Sequence, residues 1–306
     1  MEFNNFNVLI PSTITVNVES NINFDLKNII VYFKHIIKNN NCVNKNCYYQ
    51  FKNTQNILNK QLVEKDCSKY ENSFTPGTIV YIRYNDFWSG IKTSKTDKLG
   101  FNNQISFKIF INKGYYINIM MFENGRLKMA GCKNNNDSVF VMAILWQYVN
   151  ERTKQIINPF LDSLKLPSDK TPVFVFTNEM MNIPFRFSRT LNKVKVNTIF
   201  NNIKDGNILS YYEPTGQHCV NIKLLNDVKN RTAIILCILS PNNFVVFIKD
   251  VLCKIKKQEF DRTGTSFMVF PNNVIMSGNG IDFEILKNDY NKFTKILQKN
   301  ASDIVL

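Results

Sequence analysis

Histidine is nearly missing from this chain: His35 and His218 are the only two in 306 residues. A His-based triad or a His-rich metal site therefore has little to draw on, and neither HExxH nor GxSxG occurs. GxGxxG and GxxxxGK[ST] are absent too, so no glycine loop is in place to cradle a nucleotide phosphate. Carboxylate pairs assembled by folding are not excluded by sequence. The seven cysteines are an odd number with no CxxC among them. A chain this long does not need the disulfide framework of a small secreted domain. Cys42, Cys47 and Cys67 could supply three zinc ligands, but their spacing matches no common site, and the expectation is no metal and no cofactor. No apolar run reaches the length of a membrane span. The longest, residues 232–248, is split by Pro241, Asn242 and Asn243 and reads as two buried strands. The N-terminus lacks a basic stretch followed by an apolar core, the pattern of a signal peptide.

Basic residues, in contrast, are plentiful. Lysine and arginine number 38 against 24 aspartates and glutamates, a formal net charge of +14. Such an excess is either a solvated basic surface or the footprint of a polyanion partner, because Lys and Arg gain affinity by releasing counterions from phosphate. Nucleic acid is the partner this favours. The hydrophobic share of 44% is that of a globular protein with a real core.

The chain also repeats itself. Residues 120–131 read "MMFENGRLKMAG" and residues 268–278 read "MVFPNNVIMSG". Each is a hairpin whose turn is led by a phenylalanine and whose second strand stops at glycine. Alternation marks Ile117, Ile119 and Met121, then Leu127 and Met129, as strand residues facing a core. A helix follows each hairpin. The first runs to about Val149 with Asp137 or Ser138 as N-cap, and the second carries Phe283, Leu286, Tyr290, Phe293 and Leu297 in an amphipathic stripe behind Asp282. Each half also opens with a strand and a helix: residues 12–37, with a helix from near Asp25, and residues 171–200. Strand, helix, antiparallel strands, long helix, written twice, predicts an α+β protein with pseudo-two-fold symmetry, its helices on one face of the sheet and the other face open.

These residues resemble the TATA-box-binding protein family. Phe122-Glu123-Asn124-Gly125 through Ala130-Gly131 keeps the family's spacing. Phe270 through Ser277-Gly278 is one residue shorter, with Asn273 where glycine is usual. "YYEP" (211–214) is similar to the family's Tyr-Glu-Pro segment, "NIPFRF" (182–187) to its Phe-Pro-Ile-Arg-Leu segment, and "TVNV" (15–18) with "FDLKNI" (24–29) to its opening strand and helix. "FNNQISFKI" (101–109), "GCK" (131–133) and "VNIK" (220–223) look most like the divergent factors of large cytoplasmic DNA viruses. The resemblance implies one repeat over residues 1–160 with an insertion at about 38–98, and a second over 171–306 with an insertion at about 224–262. Cys42–Cys67 would then lie in a surface excursion on the helix side.

The family is a saddle of curved antiparallel sheet that sits on the opened minor groove and wedges phenylalanines between base steps. Carried over by position, Phe122 and Phe270 are wedges, and Phe101 is the second wedge of the first repeat. Gln217, beside His218, takes the equivalent place in the second repeat, where an amide cannot wedge as a ring does. Ile275 and Ser277 line the groove floor, and Lys128 and Ala130 hold the same places in the first repeat, which puts a charge where the family is apolar. Lys108, Lys133 and Lys223 match phosphate-contacting positions. The family's two groove asparagines fall near Pro11 and near Asn178 or Asn182. The implied function is a non-enzymatic transcription initiation factor that binds AT-rich double-stranded promoter DNA and works with RNA polymerase and a transcription factor IIB-like protein, in a host nucleus, a viral factory or a virion. The alternative is a protein-interaction module of the same fold with weak DNA binding, which Lys128 and Gln217 favour. Met120, Met121, Met180 and Met181 read as core, and Lys287, Lys292, Lys295 and Lys299 as a solvated helix face.

Overall fold

The computed structural model describes residues 2–39, 48–50, 61–63, 74–90, 103–156, 172–215, 218–226, 230–240, 243–254, 264–279 and 282–306. The protein is α+β, with antiparallel strand pairing and few helices. Its chain divides into two compact units. An N-terminal unit holds residues 16–176 and 234–249, and a C-terminal unit holds 1–15, 177–233 and 250–306.

The N-terminal unit begins with β1 (Thr13–Ser20), β2 (Ile22–Phe24) and α1 (Leu26–Asn39). Asp25 starts α1 as expected, its carboxylate accepting the Asn28 amide at 3.0 Å. Then come β3 (Tyr48–Gln50), β4 (Gln61–Val63), β5 (Ile79–Tyr84), β6 (Phe87–Gly90), β7 (Gln104–Asn112), β8 (Tyr115–Phe122) and β9 (Leu127–Cys132), followed by α2 (Asn135–Val149) and β10 (Thr153–Gln155). The strands line up as β4-β3-β5-β7-β8-β9-β1, with β6 on β5, while β10 pairs with β2. Ile79–Tyr84 lies inside the stretch that the sequence marks as an insertion, yet it is hydrogen-bonded to β7 as a member of the sheet. Strict alternation sends Ile117, Ile119 and Met121 of β8 and Leu127 and Met129 of β9 into the core. On that side α1 covers the sheet, with Phe33 against Phe107 of β7 at 5.6 Å between ring centroids. The N-cap of α2 is Asn134 rather than Asp137 or Ser138. Asp137 sits three residues on and returns a bond to the Asn134 amide, which closes a capping box.

The chain continues with β11 (Val173–Arg186), α3 (Lys193–Asn201), β12 (Ile208–Tyr211), β13 (Val220–Leu225), β14 (Asn230–Ser240), β15 (Asn243–Lys254), β16 (Gly264–Val269), β17 (Asn273–Asn279), α4 (Phe283–Lys299) and the short α5 (Ala301–Ile304); β14 and β15 fall largely in the N-terminal unit through residues 234–249, and the others make up the C-terminal unit. Its ladder runs β12-β13-β16-β17-β11. The apolar run at 232–248 does split into two strands, β14 and β15, paired with each other, and Ala233, Ile235, Leu236 and Cys237 are buried. The predicted stripe of α4 buries Leu286, Tyr290, Phe293 and Leu297. Phe293 stacks on Phe267 of β16 at 4.1 Å and on Phe200 of α3 at 5.5 Å. Gly278 is required by the approach of this helix, since a Cβ there would stand 2.7 Å from a methyl of Leu286. Asp282 holds the N-cap position, but it receives the first turn through its backbone oxygen, 3.1 Å from the amides of Ile285 and Leu286.

Candidate nucleic-acid interface

A strand has two faces, and in each unit the helices take one of them. The residues between the core positions belong to the other face, and the hydrogen-bond register sorts them into rows. In the N-terminal unit one row runs Tyr81, Lys108, Asn118, Ala130 across β5, β7, β8 and β9. The next runs Arg83, Ser106, Met120, Lys128. Asn118 is exposed and the other seven are half-buried. Met120 and Met121 therefore part company: Met121 is core, while Met120 stands in the open row, because adjacent strand residues must face opposite ways.

The C-terminal unit has the same layout. One row is Leu209, Lys223, Ser266, Ser277, Asn182, across β12, β13, β16, β17 and β11. The next is Tyr211, Asn221, Met268, Ile275, Pro184. Lys108 and Lys223 hold corresponding places, as do Met120 and Met268, Lys128 and Ile275, and Ala130 and Ser277. None of these residues is acidic, in a chain with 24 aspartates and glutamates.

Beyond the second row each unit ends in its phenylalanine-led turn. Phe122 is half-buried at the end of β8, and its amide donates to the Arg126 carbonyl at 2.9 Å. The link Glu123-Asn124-Gly125 has three residues. Gly125 donates back to the Phe122 carbonyl at 3.2 Å and adopts φ +80°, the left-handed position of a three-residue hairpin loop. A Cβ on Gly125 would also lie 1.9 Å from the Ile22 carbonyl oxygen. That crowding arises where the bend between β1 and β2 folds over the turn, with the Ser20 hydroxyl donating to the Gly125 carbonyl at 2.7 Å. Phe270 is likewise half-buried, one residue past β16, and donates to the Asn273 carbonyl at 2.8 Å across a two-residue link, Pro271-Asn272. Proline presets the backbone of such a turn. Asn273 keeps a negative φ, so this shorter turn does without the glycine. The Arg126 guanidinium lies 3.5 Å from Glu19, and the exposed Arg186 pairs in register with Asn273.

Lys133 stands apart from the rows. It occupies the link from β9 to α2, where its ammonium lies 4.5 Å over the Tyr115 ring. Its backbone amide donates to the Tyr115 hydroxyl at 2.9 Å and to Asp137 at 2.8 Å. The Tyr115 hydroxyl also bonds Asp137 directly. Burial, and then the Asp137 carboxylate, push the Tyr115 phenol far above its ordinary range, so it stays a donor at any physiological pH. Lys108, in its row, reaches over Tyr116 at 4.8 Å. Phe101 and Gln217 lie outside the described residues, as do Cys42, Cys47 and Cys67. Pro11 precedes β1, and of the two candidate groove asparagines Asn182 belongs to a row. Among the described residues no three His, Cys, Asp or Glu side chains gather in a way that could hold a metal ion, and no helix is long and apolar enough to cross a membrane.

Sequence reasoning did not place Tyr81, Arg83 and Leu209 on these faces, and it read Tyr211 only as part of the Tyr-Glu-Pro segment. Part of the signal was there in "IVYIRY" (79–84): Tyr81, Ile82 and Arg83 alternate, but Ile79 and Val80 are both buried and the register with β7 shifts at that point. Its place next to β7, however, is a matter of pairing.

No known protein-family model matches the chain. A protein of Acanthamoeba polyphaga mimivirus described as "TATA-box-binding protein-like" is 35% identical over 132 residues, which amount to 39% of this chain and 35% of that protein. The match thus spans about a third of the mimivirus protein's length. Among solved structures, Methanococcus jannaschii TBP aligns over 95% of this chain and 98% of its own at 8% identity, with a TM-score of 0.41, too low to argue from. The chain is similar in sequence to a viral TATA-box-binding protein-like protein, the kind of protein that its phenylalanine-led turns and Tyr-Glu-Pro segment resemble.

Proposed function

We propose that this protein is a non-enzymatic, TBP-like transcription initiation factor that binds duplex promoter DNA through the minor groove and works with the transcription machinery. The observation that supports this most is the acid-free pair of rows on each open face. Each has a lysine, small or amide side chains and a methionine in register, and each ends at a half-buried phenylalanine. Small and amide side chains suit the shallow, acceptor-lined floor of a minor groove, and lysines suit its phosphate walls. Phe122 and Phe270 stand where a ring can enter a base step, at an unstacking cost of a few kcal/mol that the bent duplex offsets with added contact. In this reading the duplex is AT-rich, because TA steps kink most easily. The lysines of α4 then point to partner proteins.

The test is binding of short AT-rich and GC-rich duplexes at two salt concentrations, with donor and acceptor dyes on the duplex ends. Wild type should prefer the AT-rich duplex and bring its ends together. The Phe122→Ala/Phe270→Ala double variant should bind more weakly and leave the ends apart. Equal affinity and equal end-to-end distance for the two proteins would remove the wedge role. Lys128, a cation in the floor of the first face, supports a second reading as a protein-interaction module. Absence of duplex binding with co-purification of polymerase subunits would select that one.

A further inference from the structure

The two open faces differ in charge. In the two shared rows the N-terminal unit carries Arg83, Lys108 and Lys128, while the C-terminal unit carries Lys223 alone. At the places of Arg83 and Lys128 the C-terminal unit has Tyr211 and Ile275. Each unit adds one arginine near its turn, Arg126 in the first, 3.5 Å from Glu19, and Arg186 in the second. Neighbouring strands stand about 4.8 Å apart, so four strands put Arg83 and Lys128 roughly 14 Å from each other with Lys108 between and one row over. Cations so spread can meet more than one phosphate along a strand.

We propose that the open face of the N-terminal unit is the electrostatic anchor for nucleic-acid phosphates, and that Arg83, Lys108 and Lys128 are its phosphate-contacting cations. The C-terminal face contributes chiefly amide, hydroxyl and apolar contact. Arg83 is the new member of the set. It sits on β5, in the stretch where the sequence marks an insertion, and its guanidinium can grip a phosphate through two parallel N–H donors, which a lysine cannot do. The consequence is a division of labour: the N-terminal face binds mainly by charge and the C-terminal face mainly by fit. The assignment to duplex DNA rests on the function proposed above, but the anchor itself is a property of one face.

Salt dependence reads this out. The full-length chain is titrated with a labelled AT-rich duplex over a range of salt, because each phosphate contact contributes about 0.9 to the slope of log affinity against log salt. The Arg83→Gln/Lys108→Met/Lys128→Met variant should flatten the slope by about 2.7. Arg83→Gln alone should flatten it by about 0.9, with Arg83→Lys restoring most of the loss. A control, Lys287→Gln/Lys295→Gln/Lys299→Gln, removes the same charge from α4 and should leave the slope unchanged. Thermal unfolding of every variant shows which are folded, and the single variants carry the test if the triple is not. Equal flattening by the two triples, or none by Arg83→Gln, overturns the anchor. Heparin elution separates this idea from the function on which it rests. If wild type binds no duplex yet the face triple leaves heparin at lower salt than the α4 triple, promoter binding fails and the anchor stands. If both triples elute together, the anchor fails.

Discussion

The turn led by Phe122 and the turn led by Phe270 present the same residue type at the same row position on different backbones. The first uses three residues and a left-handed Gly125 pressed under the bend between β1 and β2, and the second uses Pro271-Asn272 with no glycine. Turn chemistry is thus free to vary while the placement of the ring is kept, since placement depends on strand pairing on either side. The same holds for what lies beneath. The N-terminal sheet meets its helix through Phe33 on Phe107, tilted at 58°, whereas the C-terminal sheet meets α4 through parallel rings, Phe267 and Phe293 at 4°.

That comparison can be broken at several points. The largest effect is expected in the C-terminal core. Phe293 is fully buried and touches rings from β11, β16 and α3, so Phe293→Ala should cost about 3–5 kcal/mol in denaturant unfolding. A cost below about 1 kcal/mol would mean that this stack is not the keystone of its unit. Next come the turns. Gly125→Ala must strain a left-handed residue, worth about 1–2 kcal/mol, and also push back the Ile22 carbonyl. A loss of about 3 kcal/mol is expected, against less than about 1 kcal/mol for Asn273→Ala. Equal losses would show that the second turn carries a hidden constraint.

The helix starts give a smaller contrast. Asn134→Ala removes a side-chain cap and half of a capping box, at about 1 kcal/mol. Asp282→Ala should cost less, since the first-turn amides of α4 bond its backbone oxygen. A larger loss from Asp282→Ala would reverse the order.

The smallest effect is one of pH. A hydrogen bond from Lys292, 2.9 Å away, and then the Asn207 amide hold the Asp205 carboxyl below its ordinary value of 3.8. A depressed carboxylate stabilises the fold above its unfolded-state value, and that contribution is lost as pH falls through the folded value. Lys292→Met should therefore lower the melting temperature slightly at neutral pH and make no difference in strong acid. A gap that persists there would assign the effect to packing of the lysine stem. The N-terminal unit offers a redox contrast with the same logic. Burial pushes the Cys132 thiol up to about 12, so Cys132 should alkylate far more slowly than half-buried Cys219, as peptide mapping after timed labelling would show.

Much of this architecture was legible in advance. Alternation in β8 and β9, the stripe of α4 and the start of α1 at Asp25 all follow from period and capping chemistry, which act over a few residues. The reading went astray where the partner is distant. Met120 and Met121 looked alike as core until pairing with Ser106 and Lys128 put one of them on the open face. Asp137 looked like a cap and proved to be the residue that completes one.

The sequence by itself determined the α+β class, the two phenylalanine-led hairpins, the helix faces and the excess of basic residues. These depend on local spacing and on composition. Only the tertiary structure decided which cations share a face. Arg83 and Lys128 meet in one row because β5, β7, β8 and β9 pair in a given register, and a slip of one residue would send every side chain to the opposite side. Register between strands far apart in the chain is set by how well the whole sheet buries its core, a quantity that no short stretch of sequence contains.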